Sequence, residues 1–170
     1  IVGNDISGWA RRLWDWEKPY QYFGGELGLG CGLGHAIGAS LAHQPEGRLC
    51  IHFQADGDLL FTPAGLWTAA HHRIPLLIIM NNNRTYYNSE RHQEVVAKTR
   101  ERPIQNKGIG THIDGPPVNY AGLARDFGLY GAGPIENPHD LRPALQEAVK
   151  FVRDKKQPAL VDVVTYPSRA

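Results

Sequence analysis

Residues 49–83, LCIHFQADGDLLFTPAGLWTAAHHRIPLLIIMNNN, hold two apolar runs with a crossover between them. Leu49-Cys50-Ile51-His52-Phe53 reads as a short strand that ends in the turn Ala55-Asp56-Gly57-Asp58. Thr62 and Pro63 supply an N-cap and a first-turn proline for a helix through Leu66, Trp67, Ala69 and Ala70, which must stop before Pro75. Leu76-Leu77-Ile78-Ile79-Met80 is a continuous apolar run between Pro75 and three asparagines, the pattern of a strand buried on both faces of a parallel sheet. The unit is strand, helix, strand.

Upstream, seven glycines fall between Gly24 and Gly38, too many for a stable free helix at the start but suited to backbone packed tightly against a ligand. A helix of small apolar residues follows over 33–42 and ends at the turn Gln44-Pro45-Glu46-Gly47. Downstream, residues 84–117 mix charges without clear periodicity and end in Gly115-Pro116-Pro117, so a long, partly irregular excursion is expected. Helices are then expected over 120–127 and 140–153, and strands over 129–132 and 159–165. No internal repeat is present. This alternation predicts an α/β fold, an open, mostly parallel sheet with helices on both faces.

A length of 170 residues accommodates one well-buried domain and is short for two, so residues 1–170 are read as one unit. Hydrophobic residues at 42% and charged residues at 21% are ordinary globular values, which argues against wholesale disorder. With 18 basic and 17 acidic residues the net charge is +1, so the field that draws proteins to nucleic acid or anionic membranes is missing. Neither partner is expected. Cys31 and Cys50 form no metal-binding or disulfide pattern, and no stretch resembles a membrane span or a signal peptide, so the expected location is the cytoplasm. The chain opens at Ile1-Val2-Gly3 without an initiator methionine, and the expectation is a piece of something longer.

In an open parallel sheet, ligands collect beyond the carboxyl ends of the strands. Asp56 and Asn83 each fall just after an expected strand, joined by one crossover. If the strands are neighbours they lie about 5 Å apart, so a carboxylate and an amide oxygen can reach one cation. Magnesium takes hard oxygen ligands and is usually held by one or two carboxylates plus phosphates and water. The same turn presents backbone N–H groups at Gly57, Asp58 and Leu59 ahead of a helix, a setting for phosphate oxygens.

Ala55-Asp56-Gly57-Asp58, Leu66-Trp67-Thr68-Ala69-Ala70, Ile74-Pro75 and Met80-Asn81-Asn82-Asn83-Arg84-Thr85-Tyr86 resemble the thiamine-diphosphate signature, an acidic GDG turn followed by a double asparagine. Asn83 follows Asp56 by 27 residues, which fits when Asn82-Asn83 is the pair. The chain is most similar to the diphosphate-binding (PP) domain of the group that includes benzoylformate decarboxylase and the acetolactate synthases, from Tyr22 to Pro167. The resemblance implies thiamine diphosphate and Mg2+ as cofactors, with Asp56, Asn83 and the backbone carbonyl of Thr85 as metal ligands. Tyr86 and Tyr87 would lie beside the diphosphate, together with the Gly57-Asp58 turn. In Gly28-Leu29-Gly30, Leu29 would be the bulky residue that bends the cofactor so that its imino group reaches its reactive carbon, and the backbone of Leu27 would meet the aminopyrimidine. That carbon attacks a 2-keto acid carbonyl, and the cofactor performs the organic chemistry.

Three departures stand out. Ala55 replaces the usual first glycine, Asp58 brings a second carboxylate that must turn outward or be paired, and the triple asparagine permits a second register with Asn82 as ligand and Arg84 as the backbone contact. Taken alone, Asp56-Gly57-Asp58 is an ordinary strand-to-helix turn. The joint spacing supplies the specificity. The Gly24–Gly34 stretch lacks both G-x-G-x-x-G spacing and a preceding apolar strand, so nicotinamide binding is set aside. His71 and His72 read as helix-terminal residues, His35, nearer the cofactor, as the remaining candidate proton carrier, and Arg84, Arg91, His92 and Glu94 as solvated surface without a catalytic role.

Enzymes of this family activate the aminopyrimidine with a glutamate from a separate pyrimidine-binding domain, usually of a neighbouring subunit, which this chain has no room to hold. The expected partners are therefore that domain, on the same polypeptide or another chain, a small 2-keto acid, and further copies in a dimer or tetramer. The leading expectation is the PP half of a carbon–carbon lyase or synthase, with decarboxylation, ligation and thioester cleavage all open. The alternatives are a non-catalytic thiamine-diphosphate-binding or regulatory remnant and a metal-dependent phosphate-ester hydrolase, which would want more carboxylates around the ion.

Overall fold

The computed structural model describes residues 2–3, 12–22 and 28–166. Among them five strands, β1 (Val2–Gly3), β2 (Cys50–Ala55), β3 (Leu76–Asn82), β4 (Tyr130–Ile135) and β5 (Ala159–Val164), form one sheet in the order β1-β2-β3-β5-β4. Every adjacent pair is parallel. The helices are α1 (Gly32–His43), α2 (Asp56–Leu59), α3 (Ala64–His71), α4 (Tyr87–Thr99), α5 (Tyr120–Asp126) and α6 (Pro138–Lys155).

The apolar run of β3 builds both layers. Leu76, Ile78 and Met80 face one core with Leu33 and Ala36 of α1, Leu66 and Ala69 of α3, Tyr120 and Ala124 of α5, and Leu160 of β5. Leu77 faces the other, with Ala148 and Val152 of α6 and with Ala159 and Val161. Each fully buried leucine or isoleucine contributes about 1.5–3 kcal/mol, which outweighs the poor strand preference of the asparagines at the end of β3. Helices thus cover both faces, and β2 and β3 are neighbours with Ala55 beside Asn81. That register brings Asp56 and Asn83 to one end of the sheet.

The structure departs from the sequence reading in four places. Residues 84–117 contain a helix, α4, none of whose residues is buried. Its hydrophobic periodicity is correspondingly weak, and it is braced by charge, with Lys98 and Lys107 each donating to Glu94 at 2.6 Å. Thr62 does not cap α3, whose N-cap position is Pro63; its hydroxyl donates to the Gly30 carbonyl at 2.8 Å instead. The turn after β2 is itself the short helix α2. The two-residue β1 was too short to leave a pattern.

Candidate functional site

Asp56 opens α2 at the end of β2 and is 2% exposed. One carboxylate oxygen, Oδ1, accepts from the Gly57 N–H at 2.8 Å, while Oδ2 is buried without a hydrogen-bond partner. Burial pushes the carboxyl up to about 6, although the backbone N–H groups of Gly57, Arg84 and Thr85 oppose that rise by favouring the anion. Those N–H groups also place the Asp56 carboxylate against the segment after β3. A buried carboxylate oxygen with nothing to accept is expensive unless a cation completes it. The Asp56 carbonyl is held from behind by the hydroxyl of Tyr120, fully buried at the start of α5, at 3.1 Å.

The three asparagines go three ways. Asn81 Oδ1 accepts from the Thr165 hydroxyl at 2.7 Å, and Asn82 Nδ2 donates to Asp162 of β5 at 3.0 Å in the interior. Asn83 Oδ1 accepts the Thr85 N–H at 3.1 Å, and a carbonyl oxygen has a second lone pair. The Asn82 side chain, 3% exposed, is turned into the interior by its bond to Asp162, whereas Asn83 is not so anchored. Arg84 adopts a left-handed conformation, φ +58°, and pairs with Glu136 at 3.1 Å. The Tyr86 N–H donates to the Thr111 carbonyl and the Ile113 N–H to the Arg84 carbonyl, both at 2.8 Å. Thr85 is thereby the pair position facing His112 whose own N–H and carbonyl point away from that segment, toward the Asn83 side.

Gly57 lies directly under the Tyr86 ring, where a Cβ would sit 2.3 Å from Cε1. Only glycine allows that contact. The Tyr86 ring also meets Phe61 edge-on with centroids 6.2 Å apart, and Tyr87 begins α4. The Gly57 N–H expected to be free is taken by its neighbour Asp56. Asp58 is buried and paired: its oxygens accept from the Gly30 N–H and, at 2.6 Å, from Gln54 Nε2. Leu29, 67% exposed, sits on the turn that Asp58 holds. Leu27 lies outside the described residues.

The structure thus gathers Asp56, Gly57, Asp58, Asn83, Thr85, Tyr86 and the Leu29 turn at one end of the sheet. Sequence reasoning missed Asp162, Tyr120 and Gln54, which with Asn82 hold these residues from behind. A charged residue inside the apolar run of 159–164 was the available signal for Asp162, whose carboxyl burial pushes up against the opposing Asn82 amide. His71 stacks on Trp67 with centroids 4.6 Å apart. No group of three or more His, Cys, Asp or Glu suited to a metal occurs among the described residues. No described helix is long and apolar enough to cross a membrane.

Open parallel sheets with a polar crevice beyond the carboxyl ends of central strands form, as a class, the cofactor- and nucleotide-binding α/β domains. The C-terminal TPP binding domain of thiamine pyrophosphate enzymes matches residues 3–163, and the chain belongs to that family. It is 31% identical over 150 residues to benzoylformate decarboxylase of Pseudomonas aeruginosa, covering 88% of this chain and 25% of the relative. It is 27% identical to the acetolactate synthase isozyme 1 large subunit of Escherichia coli, over 96% of this chain and 27% of that protein. Among solved structures, the thiamine diphosphate-dependent 4-hydroxybenzoylformate decarboxylase of Rhodococcus jostii superposes with a TM-score of 0.65 at 29% identity, covering 84% of this chain and 24% of that one. Benzoylformate decarboxylase of Polynucleobacter necessarius, at 18% identity and a TM-score of 0.69, shares the fold over 97% of this chain and 30% of its own. The chain spans about a quarter of the length of the curated relatives it matches.

Proposed function

We propose that residues 1–170 are the PP domain of a thiamine-diphosphate-dependent lyase or synthase acting on a 2-keto acid, and that the cofactor diphosphate is held through Mg2+ by Asp56, Asn83 and the Thr85 carbonyl. One observation carries the reading: a buried, unpartnered Asp56 oxygen and the Asn83 amide oxygen at the same ends of adjacent parallel strands. The donor set fits a hard cation that takes few protein oxygens and keeps phosphate and water for the rest. Thiamine diphosphate, when bound, supplies the carbon nucleophile and the electron sink. The chain's own part is to bind and orient. Of the Gly57-Asp58 turn, the Asp58 N–H would be the one to face the diphosphate, since Asp56 already takes the Gly57 N–H; Tyr86 covers Gly57 and would restrict water, Tyr87 would stand beside the diphosphate, and Leu29 would offer an apolar support under the rings. Leu27 would meet the aminopyrimidine through its backbone.

Proton activation of the cofactor is left to a pyrimidine-binding domain elsewhere on the polypeptide or on a partner chain, in a cytoplasmic dimer or tetramer. A second reading is a thiamine-diphosphate-binding or regulatory domain that keeps the metal site but meets no catalytic partner. A full-length sequence with the activating glutamate favours the enzyme. Titration calorimetry of thiamine diphosphate into the protein, with and without Mg2+ and on Asp56→Ala, tests the site. Magnesium-dependent binding abolished by the substitution is expected; binding that ignores both magnesium and Asp56 overturns the assignment.

A further inference from the structure

Gly30 is gripped from both sides by the segment that follows the candidate metal turn. Its N–H donates to Asp58 and its carbonyl accepts the Thr62 hydroxyl at 2.8 Å. Its φ is +82°, and a Cβ would stand 2.8 Å from the Phe61 Cβ, so only glycine can occupy the contact. Behind Asp58 runs a polar chain through the interior of β2. Gln54, fully buried, donates to Asp58 at 2.6 Å and to the Ala55 carbonyl at 3.2 Å, so its own oxygen is left to accept from His52 Nε2 at 2.8 Å. His52 is therefore the neutral Nε2–H tautomer, in keeping with the burial that lowers it to about 4.

Fully buried polar side chains in a strand that otherwise packs apolar helices cost stability unless they fix something. What this chain fixes is the one-residue step from Gly30 to Leu29, whose side chain is 67% exposed while its turn is tied down. We propose that Asp58 is a positioning residue: through Gly30 it sets the height of Leu29 above the diphosphate turn, so that its carboxylate serves the rings of the cofactor and not its phosphates. The proposal rests on the thiamine-diphosphate reading and explains why a second carboxylate is tolerated beside a diphosphate, since both its oxygens are already engaged.

The test separates rings from phosphates. In the intact protein, Asp58→Ser should weaken magnesium-dependent binding of thiamine diphosphate at least tenfold while leaving magnesium–pyrophosphate within about twofold, whereas Asp56→Ala abolishes both. In the ligand-free protein, the Gly30 amide should exchange with deuterium at least tenfold faster in Asp58→Ser than in the parent, with Gln54→Leu shifting it the same way. Equal loss of both ligands, unchanged binding of both, or an unchanged Gly30 exchange rate overturns the proposal. Should the parent protein bind neither ligand, the thiamine-diphosphate reading fails and the positioning role fails with it, whatever the exchange result; the tie from Asp58 to Gly30 is then judged by exchange alone.

Discussion

Burial pushes Asp56 up to about 6 and His52 down to about 4, and the two act on stability in opposite senses. The folded metal-free chain holds a proton on Asp56 that the unfolded chain has released above about pH 4, so this group lowers stability as pH rises through roughly 4 to 6. For His52 the unfolded chain binds the extra proton, so stability rises with pH between about 4 and 6.5. Each effect is worth about 3 kcal/mol at full extent, and they nearly cancel. Asp56→Asn removes the falling component. Its stability, measured by denaturant unfolding without metal, should therefore climb by up to about 3 kcal/mol from pH 4 to 6.5 relative to the parent; identical profiles would show that Asp56 is not held protonated. The same proton must leave before a cation can bind, so magnesium-dependent cofactor affinity should fall about tenfold per pH unit below about 6. Calorimetry at pH 5, 6 and 7 checks it, and a flat profile speaks against Asp56 as the ligand.

At the scale of elements, α5 links the site to the opposite edge of the core. Asn119 caps it by accepting from the Gly122 N–H at 2.7 Å, and the first residue of the helix, Tyr120, holds the Asp56 carbonyl. Asn119→Ala should cost about 1 kcal/mol by denaturant unfolding and weaken cofactor binding through Tyr120; a loss of stability with unaltered binding would show that α5 only packs. The elements legible in the sequence were those with a face to bury: β3 read as a both-sided strand because Leu76, Leu77 and Ile78 serve two cores, and α6 read as amphipathic because Ala148 and Val152 lie on one side. Helix α4 was illegible because it buries no residue. In the site, the meeting of Asp56 and Asn83 at one end of the sheet was legible because each follows an apolar run and one crossover joins the two runs. Asp162 and Gln54 were not, because their roles depend on partners 80 and 4 residues away that no local pattern relates to them.

Across the whole molecule, one end of an all-parallel sheet collects the candidate site while the chain spans about a quarter of its curated relatives. Leu29 and Phe61 stand exposed at that end, 67% and 55%. On the proposed function, residues 1–170 alone should release no carbon dioxide from a 2-keto acid, and adding a pyrimidine-binding domain with its glutamate should start the release; turnover by the chain alone would sink the two-domain reading. The sheet also has an outer margin. On β4, its last strand, the pairing with β5 is irregular between Ala132 and Ile135, and Pro134 in that gap has no N–H to offer. A stray strand from another copy arriving on that side meets an interrupted row of donors, so this margin resists the edge-to-edge stacking that begins aggregation.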